Sequence, residues 1–211
     1  MLRINHFRKS YFGRPVLTID DFTISSGIYW IRGSNGSGKS TFLKALAGIT
    51  SFAGEIQLND RLTLHKQPQA YRSAVNFAEA EPIFPDFLTG SELIGLFKVA
   101  KKAPAQQEQP YVESMHMTHY LNEPVGTYSS GMLKKLSLVL AFLGRPACIL
   151  LDEPLTTLDV ESLPILYSWI ADQHQQHGTT FLLSSHQPFE GTMLPNVQEI
   201  IIEHATLRHN G

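Results

Sequence analysis

At 211 residues, with 43% apolar and 17% charged side chains, the chain has the composition of an ordinary soluble protein large enough for one α/β domain. Its 17 basic and 19 acidic residues leave a formal charge of −2, so no overall basic field argues for nucleic acid as a partner. Cys148 is the only cysteine, which excludes a disulfide within the chain and suits a reducing cytosol. No apolar run follows Met1-Leu2-Arg3-Ile4-Asn5-His6 as in a signal peptide, and no stretch approaches the roughly 18 apolar residues of a membrane span. A membrane-spanning part, if the protein works with one, is expected on another chain.

Residues 1–32 alternate short apolar runs with turn signals. Leu2-Arg3-Ile4 and Val16-Leu17-Thr18-Ile19 are separated by Gly13-Arg14-Pro15, and Ser25-Ser26-Gly27 follows, a pattern of antiparallel strands. Ile28-Tyr29-Trp30-Ile31 reads as a strand, residues 33–41 as a glycine-rich turn, and Phe42-Leu43-Lys44-Ala45-Leu46-Ala47 as a helix. Gly48 ends it, and Glu55-Ile56-Gln57-Leu58 is a strand closed by the turn Asn59-Asp60. Val75-Asn76-Phe77 is another short strand. The character changes at Pro82-Ile83-Phe84-Pro85, after which Thr89 and Glu92 form a capping box ahead of Leu93, Ile94, Leu96 and Phe97. Residues 101–110 read as an exposed connection inside a helical lobe. Met132, Leu133, Leu136, Leu140 and Leu143 mark a second helix, and Cys148-Ile149-Leu150-Leu151 a buried parallel strand. Residues 162–176 are helical, and residues 180–183 and 198–202 are strands. Of the nine histidines, His116 and His119 are three apart but lack partner ligands, so they read as solvated rather than metal-bound.

Two segments carry chemistry. Gly33-Ser34-Asn35-Gly36-Ser37-Gly38-Lys39-Ser40-Thr41 fits G-x-x-x-x-G-K-[ST] between a strand and a helix, the context in which that pattern wraps phosphates. Glycine permits the curled backbone whose N–H groups point inward, and the following helix adds its N-terminal partial charge. Lys39 reaches the β- and γ-phosphates, and the Ser40 hydroxyl takes one position on Mg²⁺. The strand 148–151 ends in Asp152-Glu153, acids facing the crevice at the carboxyl edge of a parallel sheet. Asp152 is placed to hold Mg²⁺ and Glu153 to polarise an attacking water.

Tyr128-Ser129-Ser130-Gly131-Met132, ahead of those acids and at a helix start, resembles the signature loop of ATP-binding cassette (ABC) ATPases. The resemblance covers nearly the whole chain. Tyr11 resembles the aromatic that stacks on adenine, with a packed strand aromatic as the weaker alternative. Residues 33–41 look like the Walker A loop, 148–153 like Walker B with its catalytic glutamate, Thr156-Thr157-Leu158-Asp159 like the D-loop and His186 like the switch histidine. What this implies is an ABC-type P-loop NTPase fold: a central, mostly parallel sheet, an N-terminal antiparallel β-subdomain and an inserted helical subdomain. One domain would cover residues 1–211, with the core and β-subdomain at about 1–82 and 146–211 and the helical part at about 83–145.

The resemblance further implies an ATP hydrolase that pairs head to tail as a homodimer or with another cassette, holding two ATP molecules with Mg²⁺ at the interface. Each ATP would be closed over by the partner copy's signature loop, Ser129 and Gly131, with Asp159 across the interface. Such a chain would sit on the cytoplasmic face of a membrane and power transport through a separate permease docked near residues 82–89. Met132, in place of the usual glutamine, is similar to what some exporters carry. Where the family has a Q-loop glutamine this chain aligns Ala80, between Glu79 and Glu81. That departure leaves room for a regulatory or assembly cassette with little hydrolysis, while a non-transport cassette is the third alternative. Lys134 and Lys135 read as a solvated helix face, and Cys148 as a small buried apolar residue.

Overall fold

The computed structural model describes residues 1–186, 194 and 196–210. Its first strand, β1 (Leu2–Tyr11), buries Leu2 and Ile4 and then Phe7, a step of three that strict alternation forbids. A bulge resolves it: His6 has φ 51, the register with the neighbouring strand shifts between Asn5 and Arg8, and Phe7 returns to the core face. Across the bulge lies Gly54, where φ is +105 and an added Cβ would stand 2.4 Å from the His6 carbonyl oxygen, so only glycine fits. Phe12 and Gly13, at φ 50 and 78, make the two-residue turn into β2 (Arg14–Ile24), pairing Tyr11 with Arg14.

β3 (Ile28–Arg32) leads through the glycine-rich loop into α1 (Lys39–Leu46). There follow β4 (Ala53–Leu58), β5 (Leu62–Thr63), α2 (Pro68–Ala74) and β6 (Val75–Ala78). The helical segment holds α3 (Gly90–Lys101), α4 (Gln109–Ser114) and α5 (Ser130–Ala141). The chain then returns through β7 (Cys148–Leu151), α6 (Ser162–His177), β8 (Thr180–Ser185), β9 (Val197–Glu203) and β10 (Thr206–His209). A four-stranded antiparallel sheet has the order β2-β1-β4-β5, and a six-stranded sheet the order β10-β9-β3-β8-β7-β6. In the larger sheet every pairing is parallel except β9 with β10.

Both faces of that sheet are covered, which explains the unbroken apolar strands. Trp30, Ile149, Leu151, Phe181 and Leu183 pack with α3, α5 and α6 on one face. Tyr29, Ile31, Cys148, Leu150 and Leu182 pack with α1 and the antiparallel sheet on the other. Burial at the start of β7 pushes the Cys148 thiol up to about 12.

The α/β architecture thus has the mostly parallel sheet, antiparallel sheet and helical part expected from the sequence. Differences are local. α1 begins at Lys39, because the end of the glycine-rich loop already is the first helical turn. α2, α4 and β10 have no counterpart in the sequence reading: each buries a single residue (Tyr71, Val112 and Leu207), too little to generate a period. The box at α3 forms as expected, with Glu92 N donating to Thr89 Oγ1 at 3.2 Å and Thr89 N to the Glu92 carboxylate at 2.8 Å.

Asn76 joins the helical segment to the edge of the sheet. Its Nδ2 donates to Ala141 O at 2.7 Å and Leu143 O at 2.8 Å, satisfying carbonyls at the end of α5 that have no helical partner. We expect Asn76→Ala, which strands two buried acceptors, to lower the unfolding free energy in a urea titration by about 3 kcal/mol. Thr89→Ala, which removes an exposed cap, should cost only about 1 kcal/mol in the same titration.

Candidate functional site

A cleft of about 450 Å³ is lined by Tyr11, Val16, Asn35, Gly36, Gly38, Lys39, Ser40, Thr41 and Glu153. The register of the parallel strands creates it. Arg32 pairs with Ser185, and Leu151 with Leu183, so three strands deliver their next residues to one edge. Those residues are the glycine-rich loop after β3, Asp152-Glu153 after β7 and His186 after β8. Gly36 and Gly38 turn the loop at φ 79 and 104, conformations that other residues resist. Gly38 stands at the N-cap of α1 with no side-chain cap, and no acid lies in the first turn, so the leading N–H groups are left for an anion.

Lys39 is buried, and its Nζ donates to Gly33 O at 2.8 Å and Ser34 O at 3.3 Å while standing 3.8 Å from Glu153 Oε1. Ser40 Oγ donates to Asp152 Oδ1 at 3.0 Å. The same carboxylate oxygen accepts from Ser184 Oγ at 2.6 Å, and Ser184 Oγ in turn accepts from Glu153 N at 3.0 Å. One buried hydroxyl therefore sets both acids. It also holds Glu153 at φ 44, a left-handed conformation that costs a non-glycine residue about 1–3 kcal/mol unless its surroundings enforce it. The carboxylate of Glu153 turns toward His186, with Nδ1 3.3 Å from Oε2. Ser184 was missing from the sequence-derived site; the available signal was a hydroxyl ending an otherwise apolar strand beside the acidic one.

The residues fit a nucleotide with Mg²⁺. Ser37 Oγ is buried in the glycine-rich loop without a hydrogen-bond partner among the described residues, a polar orphan where a phosphate oxygen would fit. Ser40 and Asp152 present hard oxygen donors side by side, the pattern of an ion that keeps its other positions for phosphate and water. Among the described residues no group of three or more His, Cys, Asp or Glu could hold a metal alone. Tyr11 stands at the cleft's margin, half-exposed, with Lys9 Nζ 4.5 Å from its ring centroid. Hydrogen bonding to Thr50, and secondarily to Thr41, holds its hydroxyl below the usual phenol range.

Ser129, Gly131 and Asp159 gather elsewhere. Ser129 caps α5: its Oγ accepts from Met132 N at 3.2 Å, and its own N–H points at Met132 Sδ at 3.5 Å, so the thioether takes the place of the usual Glu or Gln of a capping box. A Cβ on Gly131 would lie 3.0 Å from Thr157 O, which seats the start of α5 directly against residues 156–159. Asp159 accepts from Ser162 N at 2.9 Å and Ser162 Oγ at 2.7 Å and pairs with Lys135 Nζ at 2.7 Å. The Lys135 ammonium first, and Ser162 after it, hold the Asp159 carboxyl down at about 2.

Lys134 corrects the expectation of a solvated helix face. It is 1% exposed, and its ammonium is driven down to about 8 by burial, with Asp152, Glu153, Glu81 and Glu79 opposing that shift. The carbonyls of Glu79, Ala80 and Asp152 lie over this lysine, so the polar flank of α5 meets protein rather than water. Lys135 is likewise mostly covered, at 15% exposure. His116 and His119 are exposed, as expected. The glutamates flanking Ala80 do not meet the Ser40–Asp152 pair; Glu79 forms an ion pair with Lys44 on α1.

Among known proteins, the pattern of the family described as "ABC transporter" matches residues 17–156. The chain is 30% identical over 197 residues to ATP-binding cassette sub-family A member 2 of Homo sapiens, covering 88% of this chain and 8% of that protein. It is 28% identical over 192 residues to the ABC-type transporter ATP-binding protein EcsA of Bacillus subtilis, covering 88% of this chain and 77% of that one. A sn-glycerol-3-phosphate import ATP-binding protein of Agrobacterium fabrum is 28% identical over 90% of this chain and 52% of its own length. The chain thus spans only a small part of the sub-family A relative. Among solved structures, an ATP-binding subunit of an ABC transporter superposes with a TM-score of 0.88 at 23% identity, covering 100% of this chain and 90% of that chain. A dimeric ATP-binding cassette in a post-hydrolysis state with ADP and Pi superposes at 0.82 with 18% identity, covering 100% and 98%. Fold, cleft and sequence agree, and this chain belongs to the ABC transporter family as an ATP-binding cassette.

Proposed function

We propose that the chain is the ATP-binding and ATP-hydrolysing subunit of a transporter, one ABC ATPase domain over residues 1–211, driving substrate through a separate membrane-spanning permease. What carries this reading is one cleft lined by Lys39, Ser40 and Glu153 and margined by Tyr11, with Asp152 hydrogen-bonded to Ser40 and His186 beside the Glu153 carboxylate. Tyr11 stacks on the base, and the N–H groups of residues 33–41 take the phosphates, with Lys39 released from its carbonyls to meet the transferred group. Ser40 and Asp152 hold Mg²⁺, which neutralises phosphate charge when bound. Glu153 accepts a proton from the attacking water, and His186 fixes the carboxylate's direction from 3.3 Å.

Ser129 and Gly131 do not line the cleft of their own chain, which supports their meeting ATP held by a second copy with Asp159 beside them. Among the described residues no helix is long and apolar enough to cross a membrane, which supports a permease on a different polypeptide segment. Its cytoplasmic helix docks on the helical part, where Ile83, Phe87, Leu96 and Val99 are exposed apolar residues near the lobe's entry. Met132 favours export, although an importer-type protein stands among the relatives.

In mant-ATP titrations Lys39→Ala should abolish detectable binding, and Tyr11→Ala should weaken it about tenfold through loss of stacking. Glu153→Gln is expected to keep wild-type affinity, lower phosphate release by about a hundredfold or more, and yield an ATP-dependent dimer by light scattering. Phosphate release by Glu153→Gln at the wild-type rate would place the base elsewhere. A wild-type chain that binds and dimerises but releases no phosphate, even with native membranes, would instead favour a regulatory cassette.

A further inference from the structure

The signature helix meets the core through one buried cation. Lys134, in the second turn of α5, sends Nζ to Glu79 O at 3.1 Å, Ala80 O at 2.7 Å and Asp152 O at 3.3 Å. An ammonium has three protons, and three main-chain acceptors use all of them. Two acceptors belong to the segment leaving β6. The third is the carbonyl of the peptide between Asp152 and Glu153, whose N–H is the group that donates to Ser184. Lys134 thus grips one end of the peptide plane that orients Glu153, while Ser184 grips the other.

We propose that Lys134 is a positioning residue that couples the signature helix to the Asp152–Glu153 peptide and to residues 79–80 of the same chain. Nucleotide entering the cleft would shift the two acids, and α5 would follow because it is bound to the peptide joining them. The contacts run to carbonyls, so they need no particular side chain at residues 79–81, which is consistent with alanine at position 80. Lys101 offers an internal control: its Nζ also donates to two carbonyls, Arg72 O at 2.5 Å and Val75 O at 3.0 Å, at the opposite end of β6 from the acids. The proposal rests on the nucleotide-site reading above.

Hydrogen–deuterium exchange of the full chain, with and without Mg·ATP and at concentrations where light scattering reports a single copy, tests it. In wild type, Mg·ATP is expected to slow exchange about fivefold or more both at residues 33–41 and at residues 129–135. In Lys134→Met, mant-ATP affinity should stay within about twofold and the slowing at 33–41 should persist, while that at 129–135 is lost. Lys134→Gln, with two N–H donors, should give an intermediate response, and it carries the test should the methionine variant not fold. Lys101→Met should lower stability yet keep the response at 129–135. A full response in Lys134→Met or Lys134→Gln overturns the coupling, as does equal loss in Lys101→Met, which would mean general loosening. Wild type that binds Mg·ATP with no change at 129–135 refutes the coupling alone. Wild type that binds no Mg·ATP removes the site reading and the coupling together.

Discussion

The hydroxyl of Ser184 donates to Asp152 and accepts from the backbone N–H of Glu153, and the polar edge of the sheet is organised around those two bonds. A serine in that place works only because β7 and β8 run parallel and in register, with Leu151 opposite Leu183, so that the residues following each strand come out at one level. The same register brings the turn after β3 level with them. The chemistry of the cleft is thus a consequence of strand pairing: the two apolar layers hold the strands, and the strands hold the charges. Burying Asp152 is tolerable because two hydroxyls satisfy it, the usual condition for an acid out of water.

The helical segment depends on a different set of bonds. Asn76 on β6 caps the far end of α5, and Lys134 near its start fastens it to the acids. Both are side chain to main chain. Contacts of that kind specify where a helix lies without depending on which residues its neighbour carries. The segment between them, from Leu136 to Ala141, contributes the apolar packing.

Much of this was legible in the sequence, for identifiable reasons. The glycine-rich loop could be read because its φ angles and its anion both demand rare residue types at fixed spacing. The apolar strands were readable because both sheet faces are covered, and the box at Thr89 because it is a local side-chain signal. What escaped was non-local. Nothing near Ser184 shows that its hydroxyl faces an acid 32 residues away, and the lysines of α5 look solvent-facing by periodicity until the ends of β6 and β7 are placed over them. Short elements such as α2 and β10 escaped because a single anchoring side chain leaves no period to detect.

The sulfur at the start of β7 has a practical bearing. Cys148 is the chain's one thiol, wholly enclosed and with its proton held far more tightly than an exposed cysteine's, so maleimides and other alkylating probes have no thiolate to attack in the folded state. A reporter dye or spin probe can therefore be attached at a newly introduced cysteine on the protein's exterior while the native one is left in place, and any labelling of the parent chain becomes a direct signal of unfolding.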